Sequence, residues 1–152
     1  MRTGFFIVGL GGFGHKGVVN QEYPNAPKRT PDFSSEETTN VNQAFFYRLS
    51  GDTNPLHVDP NMSKMGGFKV PILHGLCTKG NTVRAVQEHF FKEDPYAMSE
   101  CSSRFTGHVF PGETLVVEAW KEGDTIIYST KTKERGKNVL KGYLKLKAGA
   151  KL

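Results

Sequence analysis

Among its 152 residues the chain has no apolar run near the ~20 that a membrane span needs. Its longest such run, Phe5-Phe6-Ile7-Val8, is bounded by glycines and is too short for the core of a secretory leader. Cysteine is scarce. Cys77 and Cys101 are two and far apart, which excludes a disulfide framework and leaves a reduced, buried thiol as the expectation for Cys77, in keeping with an intracellular protein. No set of ligands stands at zinc-like spacing, so no metal is expected. Basic and aromatic residues are not interleaved as in nucleic-acid-binding segments, so no nucleic-acid partner is expected. No internal repeat is visible.

What is present describes one folded domain. Hydrophobic residues make up 37% of the chain, and 152 residues suffice to bury a core. The net charge is +5, with much of the excess in Lys131, Lys133, Arg135, Lys137, Lys141, Lys145, Lys147 and Lys151. These alternate with apolar or polar residues, the pattern of a solvated strand face, and their field also favours an anionic substrate.

The segments take an α+β order. Residues 1–32 read as an arm of strand and loop laid over the body or a partner. Gly9-Leu10-Gly11-Gly12-Phe13-Gly14 imitates a dinucleotide fingerprint, but no amphipathic helix follows it and Pro24, Pro27 and Pro31 are loop chemistry. Thr38 or Thr39 is expected to cap a helix running to Tyr47, with Ala44, Phe45, Tyr47 and Leu49 as its apolar contacts. Asp59-Pro60 caps a short turn or helix that Gly66-Gly67 ends. From Leu73 to Phe91 the spacing predicts a helix burying Leu76, Gly80, Val83, Gln87 and Phe90, widened by Val86 and closed by Asp94-Pro95. Gly75 and Gly80 are poor helix formers, which predicts a close approach to the backbone at each. Strands are expected over Ser102–Phe110, Thr114–Lys121, Thr125–Lys133 and Val139–Leu146, joined as an antiparallel meander.

The chemistry gathers in Leu49-Ser50-Gly51-Asp52-Thr53-Asn54-Pro55-Leu56-His57. Gly51 permits a sharp turn, and Pro55 stiffens the loop and holds Asn54 out of helix. Asp52, Asn54 and His57 are thereby aimed at one place, where they could hold and activate a water. The same residues also suit an ordinary Asx turn with an incidental histidine. From the loop alone both readings stand.

The wording of this stretch resembles the signature of the MaoC-like (3R)-specific enoyl-CoA hydratases. It is most similar to the C-terminal half of the hydratase part of peroxisomal multifunctional beta-oxidation enzymes. The likeness continues through Pro71-Ile72-Leu73-His74-Gly75-Leu76-Cys77-Thr78, Arg104-Phe105 and Phe110-Pro111-Gly112-Glu113-Thr114-Leu115, and covers the chain from about Thr39 onward. It implies the hot-dog fold, an antiparallel sheet wrapped around a long helix, over residues 33–149. It also implies hydration of trans-2-enoyl-CoA to (3R)-3-hydroxyacyl-CoA. Asp52 and His57 would hold the water, with the base unassigned between them, and Asn54 would orient it. The Gly75 N–H at the head of the helix would face the thioester oxygen. Thr53, Pro55, Leu56 and Phe105 would line the acyl-CoA site beside these four. Phe105 could equally be a core residue. His74 is expected to make a structural hydrogen bond, and His15, His89 and His108 to serve surface or packing roles.

The resemblance further implies two fused halves in eukaryotic relatives, against one half here, so a homodimer is expected to supply the missing surface. Ala150-Lys151-Leu152 is similar to the Ser-Lys-Leu peroxisome address, with Gly149 keeping the tail readable by an import receptor. Peroxisomal location is the expectation. The initial Met and this address suggest a stand-alone protein. Two other readings stand beside the hydratase: a non-catalytic acyl-CoA-binding or scaffolding domain, and a hot-dog thioesterase.

Overall fold

A computed structural model describes Gly14 and residues 23–149 except 93 and 95. The glycine-rich stretch before Gly14 and the tripeptide Ala150-Lys151-Leu152 lie outside the described residues.

Five strands form one antiparallel sheet: β1 (Phe33–Thr38), β2 (Met98–Phe105), β3 (Thr114–Glu122), β4 (Thr125–Thr132) and β5 (Asn138–Leu146). Their spatial order is β1-β3-β4-β5-β2. The long helix α3 (Gly75–Phe90) lies against the sheet, and two short helices, α1 (Gln43–Tyr47) and α2 (Pro60–Met65), flank the loop between them. This is the hot-dog arrangement. The core joins Val86 of α3 to Leu115, Val117, Ile126, Tyr128, Leu140 and Leu144 of the sheet. No helix of the described residues is long and apolar enough to cross a membrane.

The meander β3-β4-β5 follows from its turns. Gly123 and Gly136 both adopt positive φ, 62° and 60°, a region that Cβ-bearing residues avoid. The strand expected over Ser102–Phe110 begins four residues earlier and stops at Phe105, because β2 pairs with β5 from Met98↔Leu146 to Phe105↔Leu140. It is therefore an edge strand beside β5 and not the first leg of the meander.

The helix expected to start at Thr38 or Thr39 does not form there. Phe33–Thr38 is instead a strand paired with β3, Thr38 opposite Thr114. Thr39 caps no helix. Its hydroxyl donates to the Glu113 carbonyl at 2.9 Å and accepts from the Gly112 N–H at 2.9 Å. Only α1 remains of that helix. Ala44 is buried, but Phe45 and Leu49 face outward, Leu49 being 82% exposed.

Helix α3 spans nearly the range expected, and Val86 is buried while Val83 and Phe90 pack partly buried against the core as expected, but the other deeply buried residues lie beside that stripe. Cys77, Thr78, Thr82, Ala85 and Val86 face the sheet, while Leu76 is half exposed and Gly80 is open. The small side chains let the helix sit close, and the Thr82 and Thr130 hydroxyls meet at 2.9 Å. Nothing lies within 4 Å of where a Cβ on Gly80 would be, so no close approach occurs there within this chain. The helix ends at Phe90, before Asp94, whose carboxylate accepts from the Tyr96 N–H.

The described part of the arm lies on the body. The Arg29 guanidinium bonds Asp32 at 2.6 and 2.8 Å and reaches Glu122 and the Lys121 carbonyl, while the Trp120 indole donates to the Arg29 carbonyl. Arg29, then the Lys121 N–H, lower the Asp32 carboxyl from 3.8 to about 2. A carboxyl depressed on folding contributes stability above its unfolded value and loses it as pH falls through its folded one. The melting temperature of Asp32→Asn should therefore lie below wild type at pH 5 and converge on it as pH falls from about 4 to about 2. Parallel thermal scans across that range check this; a constant gap would place the cost elsewhere.

Candidate active site

The loop between α1 and α2 is built by its own turn chemistry. Gly51 takes φ 112°, which ends the 3₁₀ turn Arg48–Ser50. Asn54 then starts a second 3₁₀ turn, Pro55–His57, with its Oδ1 accepting from the Leu56 N–H at 3.0 Å. The Asp52 carboxylate accepts a long bond, 3.3 Å, from the Asn54 N–H. Asn54 thus acts through its cap on the turn that carries His57. Asp59 caps α2 by accepting from the Asn61 N–H at 2.7 Å.

His57 is 8% exposed and is held by its Nδ1, which lies 2.7 Å from the Ile72 carbonyl oxygen. A carbonyl only accepts, so Nδ1 carries the proton. Neutral His57 therefore keeps its lone pair on Nε2. The Asp52 side chain is exposed, and one of its oxygens, one nitrogen of His57 and one of His74 all lie within 4.8 Å of one another. Asp52 and His57 make no direct bond, and their spacing suits a water that bonds both.

His74 was expected to make a structural hydrogen bond. Its Nε2 does lie 3.2 Å from the Asp52 backbone oxygen, and its ring also stacks on His57 with centroids 3.8 Å apart. Burial, then the neighbouring His57, lowers its pKa, which favours the neutral ring. The triplet Asp52, His57 and His74 is the one metal-ligand-like group among the described residues. His57 Nδ1 and His74 Nε2 are each taken by a carbonyl, which leaves one nitrogen of each ring free.

Gly75 is the first residue of α3, directly after His74. Its N–H has no partner among the described residues and sits at the positive end of a 16-residue helix. The close approach expected at Gly75 is real. A Cβ there would lie 3.1 Å from the Phe105 ring. Phe105, at the end of β2, covers the Gly75 backbone while staying 47% exposed. A distant strand end and the helix head thus form one surface.

Thr53 and Pro55 are exposed on the loop, and Leu56 is half-buried with its Cδ1 against Gly66. Tyr47 was not anticipated as a neighbour of the site. Its ring packs on His74 at 4.7 Å, a contact with no sequence periodicity to announce it. His89 stacks on Phe33, and His108 packs on Phe68 and Phe110, in the packing roles expected of them. Burial raises the pKa of the Cys77 thiol, which keeps it protonated.

A family model described as the MaoC-like domain matches residues 22–142. The chain is 51% identical over 139 residues to a probable enoyl-CoA hydratase 2 of Dictyostelium discoideum, covering 90% of this chain and 47% of that protein. It is 46% identical over 155 residues to the peroxisomal enoyl-CoA hydratase 2 of Arabidopsis thaliana, covering 96% and 50%. It also superposes on the full-length peroxisomal multifunctional enzyme type 2 of Drosophila melanogaster with a TM-score of 0.81 and 46% identity, over 87% of this chain and 25% of that one. The chain spans about half the length of the two hydratases it matches.

Proposed function

Since the chain belongs to the family of MaoC-like domains, we propose that it is an enoyl-CoA hydratase, adding water to trans-2-enoyl-CoA to give (3R)-3-hydroxyacyl-CoA in beta-oxidation. The single observation that carries the reading is the close grouping of the Asp52 carboxylate and the His57 ring beside a helix-head amide with no partner. The names of the two relatives, both hydratases, agree with it.

The mechanism follows from the donors and acceptors. The carboxylate and His57 Nε2 are both acceptors, and an Asp52 oxygen lies within 4.8 Å of a His57 ring nitrogen, so a water between the two groups would give each an O–H and turn its own lone pair outward. That lone pair attacks C3 of the enoyl group. One water proton passes to the pair, and the electrons of the double bond move to the thioester oxygen. The Gly75 N–H stabilises the charge developing there, a donor worth about 100-fold or more in rate. The pair then returns a proton to C2. Phe105, beside Gly75, forms a wall of the acyl-CoA path, and Thr53, Pro55 and Leu56 line its entrance. The net positive charge suits the CoA phosphates.

A second copy of the chain completes the fold's exposed face. The outward Phe45, Phe46 and Leu49 on and after α1, and the half length relative to the two hydratases, support a homodimer. Peroxisomal location is supported by the Arabidopsis relative's name and by Ala150-Lys151-Leu152 as an address for an import receptor.

An ultraviolet assay of crotonyl-CoA loss, run beside light scattering, tests both parts. Hydration without release of free thiol is expected, at a mass near twice 16.9 kDa. Thiol release would favour a thioesterase; CoA binding without turnover would favour a binding domain. A monomer with full activity would remove the dimer.

A further inference from the structure

The residue before Gly75 contacts both His57 and Asp52. The His74 ring, 1% exposed, stacks on His57, and its Nε2–H donates to the Asp52 carbonyl. Tyr47 packs on it at 4.7 Å, and its own backbone is the cap of α3. A buried imidazole with one nitrogen unsatisfied is costly to keep. His74 Nδ1 is buried with no hydrogen-bond partner among the described residues. A leucine or phenylalanine there would avoid that cost, so packing alone does not account for a histidine.

Resting on the hydratase reading, we propose that His74 is a positioning residue: its stacked ring and its Nε2–H to the Asp52 carbonyl hold His57 and Asp52 at one separation, next to the Gly75 amide. Each of the two contacts does a different job. His57 is tethered by a single bond from Nδ1, and one bond leaves the ring free to rock about it. The stacked face of His74 removes that freedom. Asp52 projects from an exposed loop, and among the described residues its carboxylate's one hydrogen bond is the 3.3 Å contact from the next turn. The bond from His74 fixes the Asp52 backbone instead. The bond to Asp52 requires a proton on Nε2, which the neutral ring carries with Nδ1 bare. Burial favours that state, as do the nearby His57 and Arg48 when charged, against the opposite pull of Asp52.

Two variants separate the contacts. His74→Phe keeps a stacked ring and loses the donor; His74→Gln keeps an amide donor in reach of the carbonyl and loses the ring. His74→Ala loses both. The expected result is a kcat lower by about 100-fold in His74→Ala, the scale of a misplaced catalytic pair, with smaller losses in the other two. KM for crotonyl-CoA should stay within about threefold in all three, because the site for the substrate is unchanged. A purely structural histidine would instead lower the amount of folded protein and leave kcat per folded site intact. Wild-type protein assayed alongside separates the two failures. Absence of hydration by wild type would end the hydratase reading, whereas wild-type hydration with unchanged kcat in His74→Ala would end the positioning role alone.

A measurement on the unmutated protein covers the case in which the variants do not fold. Long-range proton–nitrogen NMR of the imidazoles at pH 7 should show His74 neutral, with its proton on Nε2 and a bare Nδ1. A neutral ring with its proton on Nδ1 and a bare Nε2 would break the bond to Asp52 and overturn the proposal.

Discussion

Asp52→Asn and His57→Gln each lower the rate of crotonyl-CoA hydration by about 100- to 10,000-fold, the range for removing a positioned acid–base group. The folded protein should survive both changes. Asp52 is exposed, and among the described residues its carboxylate's one hydrogen bond is the weak contact from Asn54, so an amide of the same shape leaves the loop as it is. The loss therefore reports chemistry. The asparagine amide offers a donor where a second acceptor is needed, so a water there can no longer give both protons away. His57→Gln removes Nε2 and the stacked partner of His74, and a modest fall in melting temperature accompanies it. Groups that act as a unit are not additive. The double variant should be little slower than the slower single one. Circular dichroism and thermal melts beside the rate assay separate folding from catalysis, and full activity in either single variant would end the mechanism.

The largest effect on stability is expected from Gly142→Ala. Gly142 lies within β5, opposite Tyr128 on β4 and Ser103 on β2. The Tyr128 hydroxyl reaches across it to the Ser102 carbonyl, 2.9 Å, and to the Ser103 hydroxyl, 2.6 Å. A Cβ on Gly142 would fall 2.1 Å from the Ser102 carbonyl oxygen and 2.4 Å from the Tyr128 hydroxyl. The first of these is backbone in a paired strand and has no room to retreat. Overpacking of this kind costs about 3 kcal/mol or more, which for a chain of this size lowers the melting temperature by roughly 10 °C. Adding Tyr128→Phe relieves the contact with the hydroxyl but not the one with the carbonyl, so the double variant should remain destabilised. A Gly142→Ala protein melting within about 2 °C of wild type would show that β2 and β5 are not held so closely.

The candidate site was largely legible in the sequence because its geometry is local. Asp52, Asn54 and His57 sit in one loop whose turns are dictated by Gly51 and Pro55, and neighbours in sequence settle such turns. Gly75 was legible for a related reason: a glycine at a helix head advertises a backbone that must stay bare. Its contact with Phe105 was not, since 30 positions separate them along the chain and the contact exists only because β2 ends beside α3.

Elsewhere local pattern misled. Leu76 and Gly80 lie on the expected stripe yet stay exposed, and the most deeply buried positions carry mostly small side chains, because the sheet admits the helix only at close range. Phe33–Thr38, rich in serine, threonine and glutamate, has little strand character of its own and becomes a strand by pairing with β3.

By itself the sequence determined the turns, the meander and the spacing of carboxylate and imidazole, since each depends on the conformational limits of a few adjacent residues. Tertiary structure alone decided which face of α3 is covered, that Phe105 lies over Gly75, and that His74 joins Asp52 to His57. Those outcomes depend on contacts between segments whose separation along the chain carries no information about their distance in space.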